Sequence, residues 1–395
     1  MFIFTLVTLT PVLLLATAVL FGAPVIWAAL LYMTVFSFFC DRISIGAAQK
    51  ADPGAEFPAG KGLSAVLGLV HLPLLGLAVW AVAGPSGFDT LGRIGAFAAF
   101  GLFFGQVSHP NAHELIHRAG RWPRLLGKLV YCSLMIGHHS SAHSKVHHIW
   151  AATDRDPSSA PLGLGFYRYF PKACIGSFTA GLRAENRMRA RKNTPPHRLS
   201  HPYLFYMLAS VLCLMAAAIA LGPAGVLALI GLGGYAQMQL FLSDYVQHYG
   251  LRRGRLADGK LEPVGPQHSW NAPQWFSSSL MLNAPRHSDH HLNPQRPYPG
   301  LRLDPDTMPI LPYSLPVMVL MALLPFRFQA LMDPLAAPWQ PHWETRLPAD
   351  EAAASNIPQA NLREAKSGGN DRQDTAKLRY DVPVLDPRDI PPTRR

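Results

Sequence analysis

The chain has 395 residues, 49% hydrophobic and 15% charged, with 17 histidines, four cysteines and a net charge of +11; an ordinary soluble domain is about 25% charged. With a mean hydropathy of +0.12 this is the composition of a membrane protein, and it excludes a globally disordered chain, which lacks apolar surface to bury. Cys40, Cys132, Cys174 and Cys213 lie far apart with no CxxC, which excludes a disulfide scaffold and an iron–sulfur or zinc-ribbon centre built on paired thiolates.

No charged residue occurs from Met1 to Cys40, a run long enough for two crossings at about 20 residues each. Gly22 and Pro24 mark the turn, so segments 2–21 and 23–40 read as a retained helical hairpin rather than a signal peptide, which would carry a basic start and a shorter apolar run. Further spans read at 63–83, 94–107, 203–221 and 224–242, the fourth continuing as helix into the polar segment that follows. The apolar stretch Leu315 to Phe326 is too short to span and reads as a buried or interfacial helix. The fold class is therefore all-α integral membrane, with six transmembrane helices in a domain of residues 1–342. Residues 343–395 mix both charge signs with Pro, Gly and Asn and read as a disordered tail.

Six crossings place both termini, the 109–200 connection and everything after Gln247 on one side. His109 to Leu199 holds 14 Lys+Arg against four Asp+Glu, whereas Trp343 to Arg395 holds nine of each sign. The excess positive charge thus sits in one connection between apolar blocks, which makes that side cytoplasmic and argues against a nucleic-acid partner.

Four histidine clusters fall on that side: His113-Glu-Leu-Ile-His117, His143-Ser-Lys-Val-His147-His148, Asp244-Tyr-Val-Gln-His248-Tyr-Gly250 and His287-Ser-Asp-His290-His291. Residues four apart share a helix face, so His113 and His117 can aim at one metal, as can His143 and His147. His148 is turned by about 100° from His147 and serves a neighbouring ion. The last cluster allows the same division. Nine imidazoles exceed the ligands one first-row ion accepts, which calls for two metals. An all-nitrogen dinuclear site at a membrane surface favours iron, whereas catalytic zinc usually takes three protein ligands. Glu114, Asp244, Asp289 and His138 are the candidates for orienting the imidazoles or relaying protons. His71, alone in mid-span, reads as a hydrogen-bonded residue of the bundle. An intramembrane zinc protease using His113, Glu114 and His117 is the rival enzyme class, and a metal transporter, with ligands in mid-span, the non-enzymatic rival.

These residues resemble the membrane-bound alkane 1-monooxygenases, within the membrane fatty-acid desaturase and hydroxylase superfamily. The family motifs HELxH, EHxxGHH, NYxEHYG and LQRHSDHH are matched by HELIH from His113, AHSKVHH from Ala142, DYVQHYG from Asp244 and APRHSDHH from Ala284. ATDRDPSSA from Ala151, HSWN from His268, NPQRPYPGLR from Asn293 and MDP at Met332 also look like the family pattern. This chain departs at Ala142, Asp244, Gln247 and Ala284-Pro285. The resemblance implies that His113, His117, His143, His147, His148, His248, His287, His290 and His291 ligate two non-haem iron ions in a cytoplasmic cap. It implies O2-dependent hydroxylation of the terminal carbon of an alkane or similar apolar substrate dissolved in membrane lipid; aryl methyl and fatty-acyl substrates are the alternatives within the superfamily. The electron donor it implies is a rubredoxin with its flavoprotein reductase, and the location a bacterial cell inner membrane. Electrostatic steering of an acidic carrier suggests that the donor docks at the cytoplasmic basic surface around Arg183 to Lys192.

Overall fold

A computed structural model of the chain describes residues 1–43, 59–192, 197–256 and 258–341. The expected tail 343–395 and most of the connection 41–61 lie outside the described residues. Helix α1 (Phe2–Phe21) has nothing but apolar and hydroxyl side chains, and Thr8, Thr10 and Thr17 each donate to the carbonyl four residues back, which hides the hydroxyls from a lipid-like surface. Gly22 makes the turn at a φ of 84°, a left-handed conformation open to glycine without cost. Pro24 then opens α2 (Ala23–Ile43), which carries a π-helical turn at Tyr32–Phe36. Helix α3 (Ala59–Ala83) leads to α4 (Thr90–Ile116), whose N-cap Asp89 accepts from the Gly92 N–H. The turn before α4 is tied by Arg93, which donates to the carbonyls of Val82, Gly84 and Phe88. A second π turn, Phe104–Ser108, precedes the helical run His109–Ile116 that carries the first histidine pair.

After α5 (Arg121–Ser133) comes α6 at residues 139–150, helical at both ends and π-helical at His143–His147. Helix α7 (Phe166–Ala190) lies across it, and α8 (Pro202–His248) follows. At about 1.5 Å per residue the 47 residues of α8 would reach about 70 Å, more than twice the hydrocarbon core of a bilayer. The helix is broken at Leu221 (φ −139°) and Gly222 (φ 60°), ahead of Pro223, at the boundary between the expected segments 203–221 and 224–242. Short helices α9 (Trp275–Leu280), α10 (His287–Leu292), α11 (Leu315–Ala322) and α12 (Pro325–Ala336) complete the described chain. At eight residues α11 is, as its sequence implies, too short to cross.

Among the described residues, five helices are long and apolar enough to cross a membrane: Phe2–Phe21, Ala23–Ile43, Gly62–Ala83, Thr90–Ile116 and Pro202–His248. Among the described residues there is no strand beyond two isolated bridges, one of which joins Asn271 to Ile310. One apolar core is formed by α1 to α4 with the middle of α8, and a second packs Tyr131, Tyr169, Tyr245, Tyr249 and Phe328 against the histidine-bearing segments. Outward residues such as Leu20, Leu208 and Ile219 stay exposed, as befits a surface facing hydrocarbon.

Candidate metal centre

Nine histidines converge from four segments into two adjoining pockets. His113, His117, His143, His148 and His290 form one; His147, His248, His287 and His291 form the other, with candidate ligand atoms within 4.8 Å of one another in each. In the first pocket His143 Nε2 lies 2.7 Å from His113 Nε2 and 2.9 Å from His148 Nε2, which in turn is 3.2 Å from His117 Nε2 and 3.1 Å from His290 Nε2. In the second, His287 Nε2 is 3.0 Å from His248 Nε2 and 3.2 Å from His291 Nε2.

The pairing of His143 with His147 expected from i,i+4 spacing is corrected by the structure. The π turn at His143–His147 closes hydrogen bonds five residues apart rather than four. One extra residue per turn brings His148, not His147, onto the face of His143 and sends His147 to the second pocket. The other spacings hold: His113 in the last turn of α4 and His117, which caps that helix, share a pocket, as do His287 and His291 on α10, and His290 goes to the other.

These residues fit metal ions. Imidazole nitrogens held about 2.0–2.1 Å from one ion lie roughly 3 Å apart, which is the spacing seen; bare lone pairs at that distance repel. The rings are also kept neutral, as ligation requires. Burial foremost, then the neighbouring His113 and His148 rings, push His143 well below its ordinary pKa. The same causes, with other neighbours, act on His148, His290 and His291, and lower His117 to about 4 and His287 to about 3. His147 is the exception: burial acts to lower it, but the charge and hydrogen bond of Asp156 raise it.

The polar residues expected around the rings are mostly engaged elsewhere. Glu114 pairs with Arg118, one helical turn on, and accepts from the Tyr298 N–H at 3.4 Å. That leaves it unsuited to act as the general base of a zinc protease. Both oxygens of Asp289 are occupied by Arg296, Asn293 and the Arg302 N–H rather than by an imidazole. His138 turns toward Ser177 and Phe178. Asp244 does lie beside His147, whose charge it influences, and its Oδ2 is buried without a partner. The carboxylate that holds a ligand ring is Asp156, 2.8 Å from His147 Nδ1, and the sequence offers only its place in the ATDRDPSSA stretch as a signal. His71 is the hydrogen-bonded bundle residue it was expected to be, held between Ser108 and Ser133 at 2.9 and 2.8 Å.

Two motif departures have local explanations. The Gln247 amide donates to the Ala284 carbonyl at 3.0 Å, a bond that a carboxylate could not make, and so ties α8 to the strand of chain entering α10. Ala142 is buried against Gly181 of α7, where a Cβ on the glycine would lie 3.1 Å from the Ala142 nitrogen. The two helices meet through their smallest side chains there.

A cavity of about 610 Å3 opens onto both pockets, with His113, His143 and His287 in its wall. Leu30 and Met33 of α2, Leu102 of α4, Tyr235 of α8 and Leu320 of α11 are among its apolar lining. Leu102 precedes His113 by eleven residues on α4, about 16 Å of helix, and both residues line the cavity. The lining is largely apolar, with imidazoles of both histidine pockets in the wall.

A family model described as "Fatty acid desaturase" matches residues 89–342. The chain is 30% identical over 319 residues to alkane 1-monooxygenase 2 of Pseudomonas aeruginosa, covering 79% of this chain and 84% of that protein. Over 337 residues it is 30% identical to alkane 1-monooxygenase 1 of the same organism, covering 83% and 88%. To the xylene/toluene monooxygenase hydroxylase component of Pseudomonas putida it is 27% identical over 269 residues, 66% of this chain and 69% of that one. The histidine motifs thus sit within a similarity that extends through most of the chain, and with its apolar helices and paired imidazole pockets this protein belongs to the membrane-bound alkane 1-monooxygenase family of the desaturase and hydroxylase superfamily.

Proposed function

We propose that this chain is a non-haem di-iron monooxygenase that hydroxylates the terminal carbon of an alkane or similar alkyl chain to a primary alcohol. The observation that carries this reading is the junction of an apolar cavity with two all-histidine pockets. His113, His117, His143, His148 and His290 would hold one iron and His147, His248, His287 and His291 the other. Iron bound there supplies the activation of dioxygen that attack on an unactivated C–H bond demands.

The protein's own contribution is selection, orientation and exclusion of water. An alkane has no charge and no hydrogen-bonding group, and moving it from lipid into an apolar cavity gains little hydrophobic energy. Discrimination must therefore come from shape. A slot lined over about 16 Å of α4, bounded by α2, α4 and α8, aligns an extended chain lengthwise and leaves one end at His113, His143 and His287. Dry walls also protect the reacting centre from competing reactions with water. The similarity to a xylene/toluene hydroxylase component supports aryl methyl groups as the second substrate class.

The remaining parts of the proposal concern the surroundings. Six crossings, with α8 contributing two, one on each side of its break, would put both termini and the histidine cap on the cytoplasmic side of a bacterial inner membrane, in line with the positive charge of residues 109–199. The electron donor in this reading is a rubredoxin served by a flavoprotein reductase; Cys40, Cys132, Cys174 and Cys213 are free thiols. The test is metal content: about two irons per purified chain, falling when His143, His248 or His290 is replaced by Ala while membrane insertion persists. One zinc per chain, or full activity in all three variants, would overturn the assignment.

A further inference from the structure

We propose that Asp156 makes the two metal pockets unequal, by fixing His147 as a carboxylate-backed ligand of the four-histidine pocket, so that this pocket holds its ion more firmly than the five-histidine one. The inference rests on the reading of both pockets as iron sites and goes beyond it to the division of labour between them.

The loop 151–160 is built to present this carboxylate. Ala152 sits in the left-handed region at φ 60°, a conformation that alanine adopts only at a cost and that clusters at functional sites. Its N–H donates to Ser159 Oγ at 2.8 Å, and that hydroxyl donates to Asp156 Oδ2 at 2.7 Å. The Ser158 N–H donates to Asp156 Oδ1 at 3.2 Å. From outside the loop, Tyr169 holds the Ser158 carbonyl at 3.0 Å and the Arg253 N–H holds the Ala152 carbonyl at 2.9 Å. The carboxylate so fixed is buried and accepts from His147 Nδ1 at 2.8 Å. With Nδ1 donating to Asp156, the neutral ring that a metal would bind carries its lone pair on Nε2, which is buried with no protein partner and belongs to the four-histidine pocket.

The other pocket has no such support. Among the described residues, His147 is the only one of the nine ring systems with an ion-pair contact to a carboxylate. Glu114 and Asp289, the acidic residues nearest in sequence to the five-histidine ligands, are neutralised by Arg118 and Arg296. Three of those five rings are partly exposed, whereas all four of the other set are buried. Carboxylate backing raises the basicity of a ligating imidazole, and removing such a partner typically weakens metal affinity by about 10- to 100-fold. The buried ion gains this support and the more exposed one does not.

The experiment loads the full-length protein, in detergent or nanodiscs, with two equivalents of 57Fe(II) under anaerobic conditions and challenges it with a chelator, following release optically and the remaining iron by Mössbauer spectroscopy. Wild type is expected to lose iron in two phases with distinct spectra. In Asp156→Asn the slow phase accelerates by about 10- to 100-fold while the fast phase stays as it was, and Asp156→Glu recovers part of the difference. Ser159→Ala, which keeps the carboxylate but removes the hydroxyl that bridges it to the Ala152 N–H, gives a smaller shift of the slow phase and guards against loss of folding in the first variant. A single release phase in wild type, or an unchanged slow phase in both Asp156→Asn and Ser159→Ala, would overturn the proposal while leaving the iron sites intact. Failure of folded wild type to take up iron would overturn the reading beneath it.

Discussion

Gly101 and Gly105 of α4 offer a way to shorten the cavity from outside the metal centre. A Cβ on Gly101 would lie 2.3 Å from Cδ1 of the Tyr235 ring and 3.0 Å from its Cε1. Phe97 is stacked on that ring at 5.8 Å, so the free space left to a displaced ring is the cavity that Tyr235 lines. Overpacking of this kind costs about 1–3 kcal/mol, and if the cost falls on the complex with a chain that fills the slot, kcat/KM drops by about 5- to 150-fold. Short chains that do not reach Tyr235 are expected to be spared. Gly105→Ala provides the contrast, since its Cβ meets the end of the flexible Gln239 side chain at 2.2–2.4 Å. Gln239 can swing away at the loss of its bond to the Gly101 carbonyl, about 1 kcal/mol. The assay is gas chromatography of alcohols formed from alkanes of graded length by the reconstituted enzyme. A product profile in Gly101→Ala that matches wild type at every chain length, in a folded protein with full iron, would refute this placement of the substrate.

Three further outcomes follow from the site. Glu114→Gln should keep both irons and most activity, because the carboxylate serves Arg118 rather than a metal ligand; loss of metal on this change, by elemental analysis, would contradict the geometry. Acidification should destabilise the apoprotein and release metal. His117 and His287, lowered to about 4 and about 3, take up protons more readily when unfolded, near pH 6.5. Their stabilising contribution is complete above about pH 6.5 and is lost as pH falls toward 3–4, so melting temperature should drop in that window and stay flat above it. Reversing the charges of Arg183 and Arg187 on α7 and of Lys192 just beyond it should slow reduction by the proposed rubredoxin donor and flatten its salt dependence; unchanged stopped-flow rates would place the docking surface elsewhere.

The histidine positions were readable because HxxxH spacing, span ends and loop charge all pointed to one face. The division between pockets was not, since a π turn shifts register by one residue, and nothing in the string His143-Ser-Lys-Val-His147-His148 distinguishes it from an α turn. Two of the three expected carboxylates, Glu114 and Asp289, are engaged elsewhere for a related reason. Proximity in sequence to a ligand suggested that Glu114 and Asp289 orient imidazoles, but a nearer arginine claims each one. The Glu114–Arg118 pair was visible as an i,i+4 match, whereas Asp289 with Arg296, and Asp156 with His147, depend on how loops fold back. Composition revealed the apolar helices, and the break at Leu221–Gly222 lies where Gly222-Pro223 would suggest it. The depth of the cavity and the seating of Tyr235 and Gln239 on Gly101 and Gly105 arise from long-range packing that local periodicity does not encode.

The central claim is that paired histidine pockets at the end of an apolar slot oxygenate an alkyl terminus. Its most direct test is turnover of the purified, iron-loaded chain with rubredoxin, reductase and an alkane under 18O2. The account predicts a primary alcohol carrying one 18O atom, and none from the His143→Ala variant. Absence of labelled terminal alcohol from a preparation that holds two irons and accepts electrons from rubredoxin would contradict it.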